Sequence, residues 1–138
     1  MALPVAAAVV LVIGGCSSAQ PPAHDAGASV SVTEKDFQIS GPLERLSSGD
    51  VVLSVTNEGP ENHELIVVRG DDSTLLLRAD GVTVDEEALE PATVGALEPG
   101  TPGSVRRLPL HLEPGRYTLF CNMAGHYLGG MYAELVVT

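Results

Sequence analysis

In the segment Cys121-Asn122-Met123-Ala124-Gly125-His126-Tyr127-Leu128-Gly129-Gly130-Met131, a thiol, an imidazole and a thioether recur at equal intervals of five residues. Glycines within the segment let the backbone curl, so that the three side chains can point to one place. Thiolate and thioether are soft donors and imidazole is borderline, a mixture that suits copper as both Cu(I) and Cu(II). Met123 lies between the first two donors, where the spacing does not aim it at a shared ion, and reads as packing or surface.

Three donors on one loop leave a fourth position for a residue from a distant strand. His63 is the candidate, in Asn57-Glu58-Gly59-Pro60-Glu61-Asn62-His63-Glu64-Leu65, where a turn-rich stretch meets an apolar run. His111 falls mid-strand in Leu108-Pro109-Leu110-His111-Leu112 and reads as a surface or packing residue. His24 lies in a small, polar, Pro-rich stretch and reads as a solvated bystander. A Cys–His nucleophile is the enzymatic rival. It lacks a third orienting group, and Cys121 ends a strand rather than sitting at a helix N-terminus, where thiolates are activated. His-x-His pairs are absent, a dinuclear copper centre would need a second loop Cys, and zinc rarely uses Met. The chain reads as a non-enzyme.

These residues need a scaffold, and from Val30 onward the sequence offers short apolar or alternating runs broken by turn residues, the pattern of an all-β sandwich. Strands are predicted at Val30–Thr33, Asp36–Ile39, Val51–Thr56, Glu64–Arg69, Val105–Leu112, Tyr117–Cys121 and Tyr132–Val137. Turns are expected at Gly41-Pro42, Ser48-Gly49-Asp50, Asn57–Pro60 and Glu113-Pro114-Gly115. Tyr117, just after that last corner, reads as a structural pin that hydrogen-bonds back to upstream backbone, as in Greek-key sandwiches. The stretch from Asp71 to Gly103 is rich in Pro, Gly and acid and reads as an irregular excursion across one face. Leu75–Leu77 could be a strand within it, and Asp85–Leu89 a helical turn led by an Asp cap.

The net charge is −11, from 18 acidic and 7 basic residues, and ten of the acids against two bases (Arg69 and Arg78) fall between Glu61 and Glu98. Such a chain lacks the basic footprint that nucleic acid requires. An acidic face suits solubility, and it also suits steering towards a basic partner. One domain of about 100 residues, a monomer by expectation, has no room for a second lobe.

Residues 1–15 carry no charged side chain, and Ala2 to Ile13 form an apolar run. The run is too short to span a bilayer, which takes about 20 apolar residues, and with small residues after it the pattern is that of a secretory signal peptide. Ile13-Gly14-Gly15-Cys16 resembles the bacterial lipobox. That resemblance implies cleavage before Cys16 and a diacylglyceryl group on its thiol. The expected layout is a signal peptide at 1–15, a lipid-anchored flexible linker at 16–29 and the domain at 30–138. One departure is that no Lys or Arg precedes the apolar run. The two cysteines, Cys16 and Cys121, could pair on count alone, but each has its own explanation.

From about Val30 to Thr138 the sequence resembles a bacterial member of the plastocyanin/azurin-like cupredoxin family, the type 1 blue-copper proteins. The resemblance rests on Asn57-x-Gly59 with His63-Glu64-Leu65, on Pro114-Gly115-x-Tyr117 leading to Cys121, and on the Cys121, His126, Met131 spacing. It implies one copper ion in a trigonal His63–Cys121–His126 plane, with Met131 as a long, weak axial ligand. It implies a buried His63, and a His126 that emerges through an apolar patch of Tyr127, Leu128, Gly129 and Gly130 and gives the electron its exit. The implied role is one-electron transfer outside the cytoplasm, with copper buffering or delivery as the alternative. Where many relatives have Asn directly after the first His, this chain has Glu64. The tie between the ligand loops is therefore expected to be rebuilt from Asn62 and Asn122.

Overall fold

The computed structural model describes residues 27–138. The proposed signal peptide, Cys16, His24 and the linker up to residue 26 lie outside the described residues. The described residues form eight strands: β1 (Ala28–Lys35), β2 (Gln38–Ser40), β3 (Gly49–Asn57), β4 (His63–Arg69), β5 (Thr93–Gly100), β6 (Val105–Leu112), β7 (Gly115–Phe120) and β8 (Tyr132–Val137). They make two four-stranded sheets, ordered β2-β1-β3-β6 and β5-β4-β7-β8. β1 runs parallel to β3, and the other named pairings are antiparallel. The all-β sandwich expected from the sequence is the fold observed.

Alternation builds the core. Val30 and Val32 of β1, Leu53 and Val55 of β3 and Leu108, Leu110 and Leu112 of β6 meet Leu65, Val67, Tyr117, Leu119, Leu135 and Val137 of the facing sheet. With no Trp in the chain, these aliphatic side chains supply most of the apolar burial. Tyr117 is the expected pin: its hydroxyl donates to the Glu113 carbonyl at 2.8 Å, and Arg69 donates to that hydroxyl at 3.3 Å.

The excursion departs from expectation in two places. It contains β5, which alternates weakly and is mostly exposed, so its apolar signal is faint, yet it pairs with β4 along the sheet edge. Leu75–Leu77 does not form a strand; a short 3-10 turn at Asp72–Thr74 precedes it, and Leu77 makes one isolated bridge to Val84. The helical turn is present as α1 (Glu86–Leu89), with the Asp85 carboxylate accepting the Ala88 N–H. The excursion buries Leu75, Val84 and Leu89 against Ile66, Val68 and Phe120, the outward residues of β4 and of the end of β7. That second small core explains why β4 reads as an unbroken apolar run: it is covered on both faces. At the other end of the domain β1 begins at Ala28, two residues earlier than expected, because its parallel pairing with β3 starts at Ala28 opposite Val51.

Candidate metal centre

The centre is assembled where β4 starts and β7 ends. The two strands pair antiparallel with Ile66 opposite Phe120. His63, the first residue of β4, and Cys121, just beyond β7, therefore emerge at the same end of the sandwich. Cys121 is not part of the strand as expected; its N–H instead donates to the Met131 carbonyl at 3.1 Å. The loop between them closes on itself. His126 N–H donates to the Met123 carbonyl at 2.8 Å, and Met131 N–H to the His126 carbonyl at 3.0 Å. Met123 packs against the main core, as its spacing implied.

His63, Cys121 and His126 are all buried, and their donor atoms lie within 4.8 Å of one another. The two Nδ1 atoms are 3.3 Å apart, and the Cys121 sulfur is 3.5 Å from Nδ1 of His126. Met131 is fully buried in the same core cluster as Cys121. His111 stands apart on the surface, with Nδ1 2.7 Å from the Asp50 carboxylate.

Burial sets the protonation state of the donors. Burial pushes the Cys121 thiol up to about 11; the backbone N–H groups of Met123 and Glu64 act against this, while the Glu64 and Glu34 carboxylates add to it. A thiol in that state is no free nucleophile at neutral pH, and a bound cation is what would make it a thiolate. Burial, and then the neighbouring His126, lower the His63 pKa, against the opposing pull of Asp36. His63 is therefore held neutral, the form that ligates metals.

Glu64 turns out to be the tie itself. Its backbone N–H reaches the Cys121 sulfur, and the backbone N–H of Asn122 reaches its carboxylate, so one residue spans both ligand segments. The Asn122 side chain looks the other way. It accepts the Val84 N–H at 2.6 Å and donates to the Val84 carbonyl at 3.0 Å and to the Glu86 carboxylate at 2.6 Å, fastening the acidic excursion to the loop.

Four residues around the centre carried no clear sequence signal. Asp36 and Phe37 form the β1–β2 turn, with the Asp36 carboxylate 3.3 Å from Nε2 of His63 and the Phe37 ring edge-on to His126 at 5.7 Å. Glu61 sits 3.1 Å from Nε2 of His126. Buried Asn57 donates to the Glu61 and Gly100 carbonyls at 2.7 and 2.9 Å and accepts the Gly59 N–H at 2.9 Å, so it fixes the turn that leads to His63. Only Asn57 belonged to a motif noted in the sequence. His126 is more enclosed than expected, its side chain 11% exposed, because Phe37 and Glu61 stand over its edge. Leu128, at 53% exposure, is the main apolar surface of the loop beside it.

No protein-family model and no curated protein sequence matches the chain. Solved structures do. Auracyanin from the photosynthetic bacterium Roseiflexus castenholzii superposes with a TM-score of 0.61 at 20% identity, over 81% of this chain and 99% of that one. Auracyanin A, a "blue" copper protein from the green thermophilic photosynthetic bacterium Chloroflexus aurantiacus, gives 0.59 at 16% identity, over 81% and 99%. Rusticyanin from Thiobacillus ferrooxidans gives 0.59 at 14% identity, over 81% and 79%. The chain has the cupredoxin fold.

Proposed function

We propose that this protein is a one-electron carrier working outside the cytoplasm through one copper ion. His63, Cys121 and His126 would hold the ion, with Met131 as a weak fourth donor. The observation that carries this reading is the convergence of two imidazole Nδ1 atoms and one thiol sulfur, all buried, within 4.8 Å. Two imidazoles and a thiolate with a thioether at hand are the donors of blue-copper electron-transfer sites, and copper held so would accept one electron and release it again. The chain's own residues supply the rest. The sandwich fixes His63 on one strand, the closed loop fixes Cys121 and His126, and burial excludes water. Glu64 keeps the two ligand segments in register.

For location, we infer export and a lipid anchor at Cys16, supported by the lipobox-like Ile13-Gly14-Gly15-Cys16. Among the described residues no helix is long and apolar enough to cross a membrane. The partner we infer is a redox protein with a basic docking face, met by a monomer of this chain.

The test is an optical and EPR spectrum of the copper-loaded protein followed by redox titration. Intense thiolate-to-copper charge transfer and reversible one-electron cycling without loss of metal are expected, and Cys121→Ser removes the colour. A colourless Cu(II) complex in the wild type defeats the reading. Transfer of the ion to another apoprotein in place of redox cycling favours copper delivery.

A further inference from the structure

A metal-bound imidazole is oriented by whatever its second nitrogen touches. Here both second nitrogens face carboxylates: Nε2 of His63 lies 3.3 Å from Asp36, and Nε2 of His126 lies 3.1 Å from Glu61. The two carboxylates come from different turns, and each turn is built to hold its acid in place. Gly59 leaves the gap in which Asp36 meets His63. A Cβ there would stand 2.6 Å from the Asp36 carboxylate and 2.8 Å from Nε2 of His63. Phe37, next to Asp36, adopts a left-handed φ of 58°, a costly conformation for an aromatic residue that persists only where the surroundings enforce it. Its ring lies against Gly129, where a Cβ would come within 2.1 Å of it. Glu61 is held through its own carbonyl by Asn57.

Resting on the copper reading above, we propose that Asp36 and Glu61 are paired anionic positioning residues. Each accepts the Nε2–H of one ligand imidazole, which fixes the tautomer and turns Nδ1 inward, and their two negative charges favour Cu(II) over Cu(I). The pair is unequal. Asp36 is 35% exposed and works on a His63 ring with no exposure, whereas Glu61 is 61% exposed, so water and salt screen it more. Asp36 therefore has the larger effect, and the Glu61 contribution fades as salt rises.

Asp36→Asn and Glu61→Gln keep an acceptor oxygen and remove the charge; Asp36→Ala and Glu61→Ala remove both. Glu87→Gln is a charge control away from the imidazoles. The neutral isosteres should raise the reduction potential beyond the control, Asp36→Asn more than Glu61→Gln, and only the Glu61→Gln shift should shrink in high salt. The alanine variants should weaken Cu(II) binding by about tenfold or more. On the metal-free protein, ¹⁵N NMR should find both histidines as Nε2–H tautomers in the wild type, with His63 losing that preference in Asp36→Ala. Isostere potentials equal to the control, or an Nδ1–H tautomer in the wild type, overturn the proposal. The tautomers are read without metal, so they decide this inference even if the wild type gives no blue copper spectrum and the functional reading fails.

Discussion

His63 and His126 are 63 positions apart in the chain, yet their Nδ1 atoms face one another at 3.3 Å inside the protein. Two inward lone pairs at that distance repel unless a proton or a cation lies between them, and the Cys121 sulfur 3.5 Å from Nδ1 of His126 adds a third donor. A bound ion would take the place that a shared proton otherwise fills between these donors. With free copper at about a thousand times its dissociation constant, binding should add about 4 kcal/mol to the stability of the folded state. Thermal unfolding with and without copper measures this. His63→Ala and His126→Ala should abolish most of the gain, and an unchanged melting temperature in the wild type would rule out binding at this centre.

Met131 should set the potential without being needed to hold the ion. It is fully buried beside Cys121, and its thioether would be a weak donor that adds little to the holding of a bound ion. Met131→Leu should keep copper and raise the reduction potential. Met131→Gln, which offers an oxygen that favours Cu(II), should lower it. Voltammetry of the two variants reads the signs; no change in either would place Met131 away from the ion.

Buried Glu34, with its half-buried partner Arg106, makes stability depend on pH. The Arg106 guanidinium donates to one oxygen of Glu34, and the other oxygen, also buried, has no partner. Burial outweighs Arg106 and pushes the Glu34 pKa from 4.5 up to about 7. Between those values the folded chain keeps a proton that the unfolded chain has lost, so this residue lowers stability as pH rises through the window and contributes a constant cost above it. Glu34→Gln should resemble the wild type near pH 4.5 and gain on it progressively up to about pH 7. Urea denaturation at several pH values measures the difference. A constant difference across the window would mean that Glu34 is ionised throughout.

Location has its own test. If Cys16 carries lipid, Cys16→Ala should move the protein from the membrane fraction to the soluble extracytoplasmic fraction with copper binding intact. A wild-type protein that is wholly soluble, with an unmodified N-terminus, would contradict the anchor.

The sequence made the candidate donors legible because they lie at strand ends or on the loop between two strands, where local patterning is strong. Cys121, His126 and Met131 declare themselves by spacing, and His63 by its place before the apolar run of β4. What surrounds them was hidden for physical reasons. Asp36 reaches His63 only because β1 pairs with β3 and turns back as β2, a long-range contact that no local periodicity records. Phe37 falls with Asp36 in the predicted strand Asp36–Ile39, which the structure makes a turn before β2, and Glu61 carries no pattern of its own in the stretch before His63. β5 was missed because an edge strand exposed over most of its length needs little apolar pattern, and its order comes from pairing with β4. Glu64 looked like the loss of a tie and proved to be one, through a backbone N–H that the residue's identity does not announce.

The acidic excursion and the His126 edge should act on electron transfer in separable ways. The structure decides which acids can be tested: Asp85 caps α1 and Glu86 holds Asn122, so changing either would disturb the loop itself. Glu87 and Glu90 are exposed on the same segment and make better probes. A cationic one-electron reductant such as hexaammineruthenium(II) should react more slowly with the Glu87→Gln, Glu90→Gln double variant at low ionic strength, and equally fast at high, because steering is screened over about 10 Å at 0.1 M salt. Leu128 stands exposed beside the His126 edge. Leu128→Lys places a like charge at the electron's shortest way out, and it should slow transfer even in high salt because close approach and contact are changed as well. Stopped-flow rates across ionic strength separate the two effects. Identical salt dependence in both variants would show that the excursion and the His126 edge are not distinct parts of the docking surface.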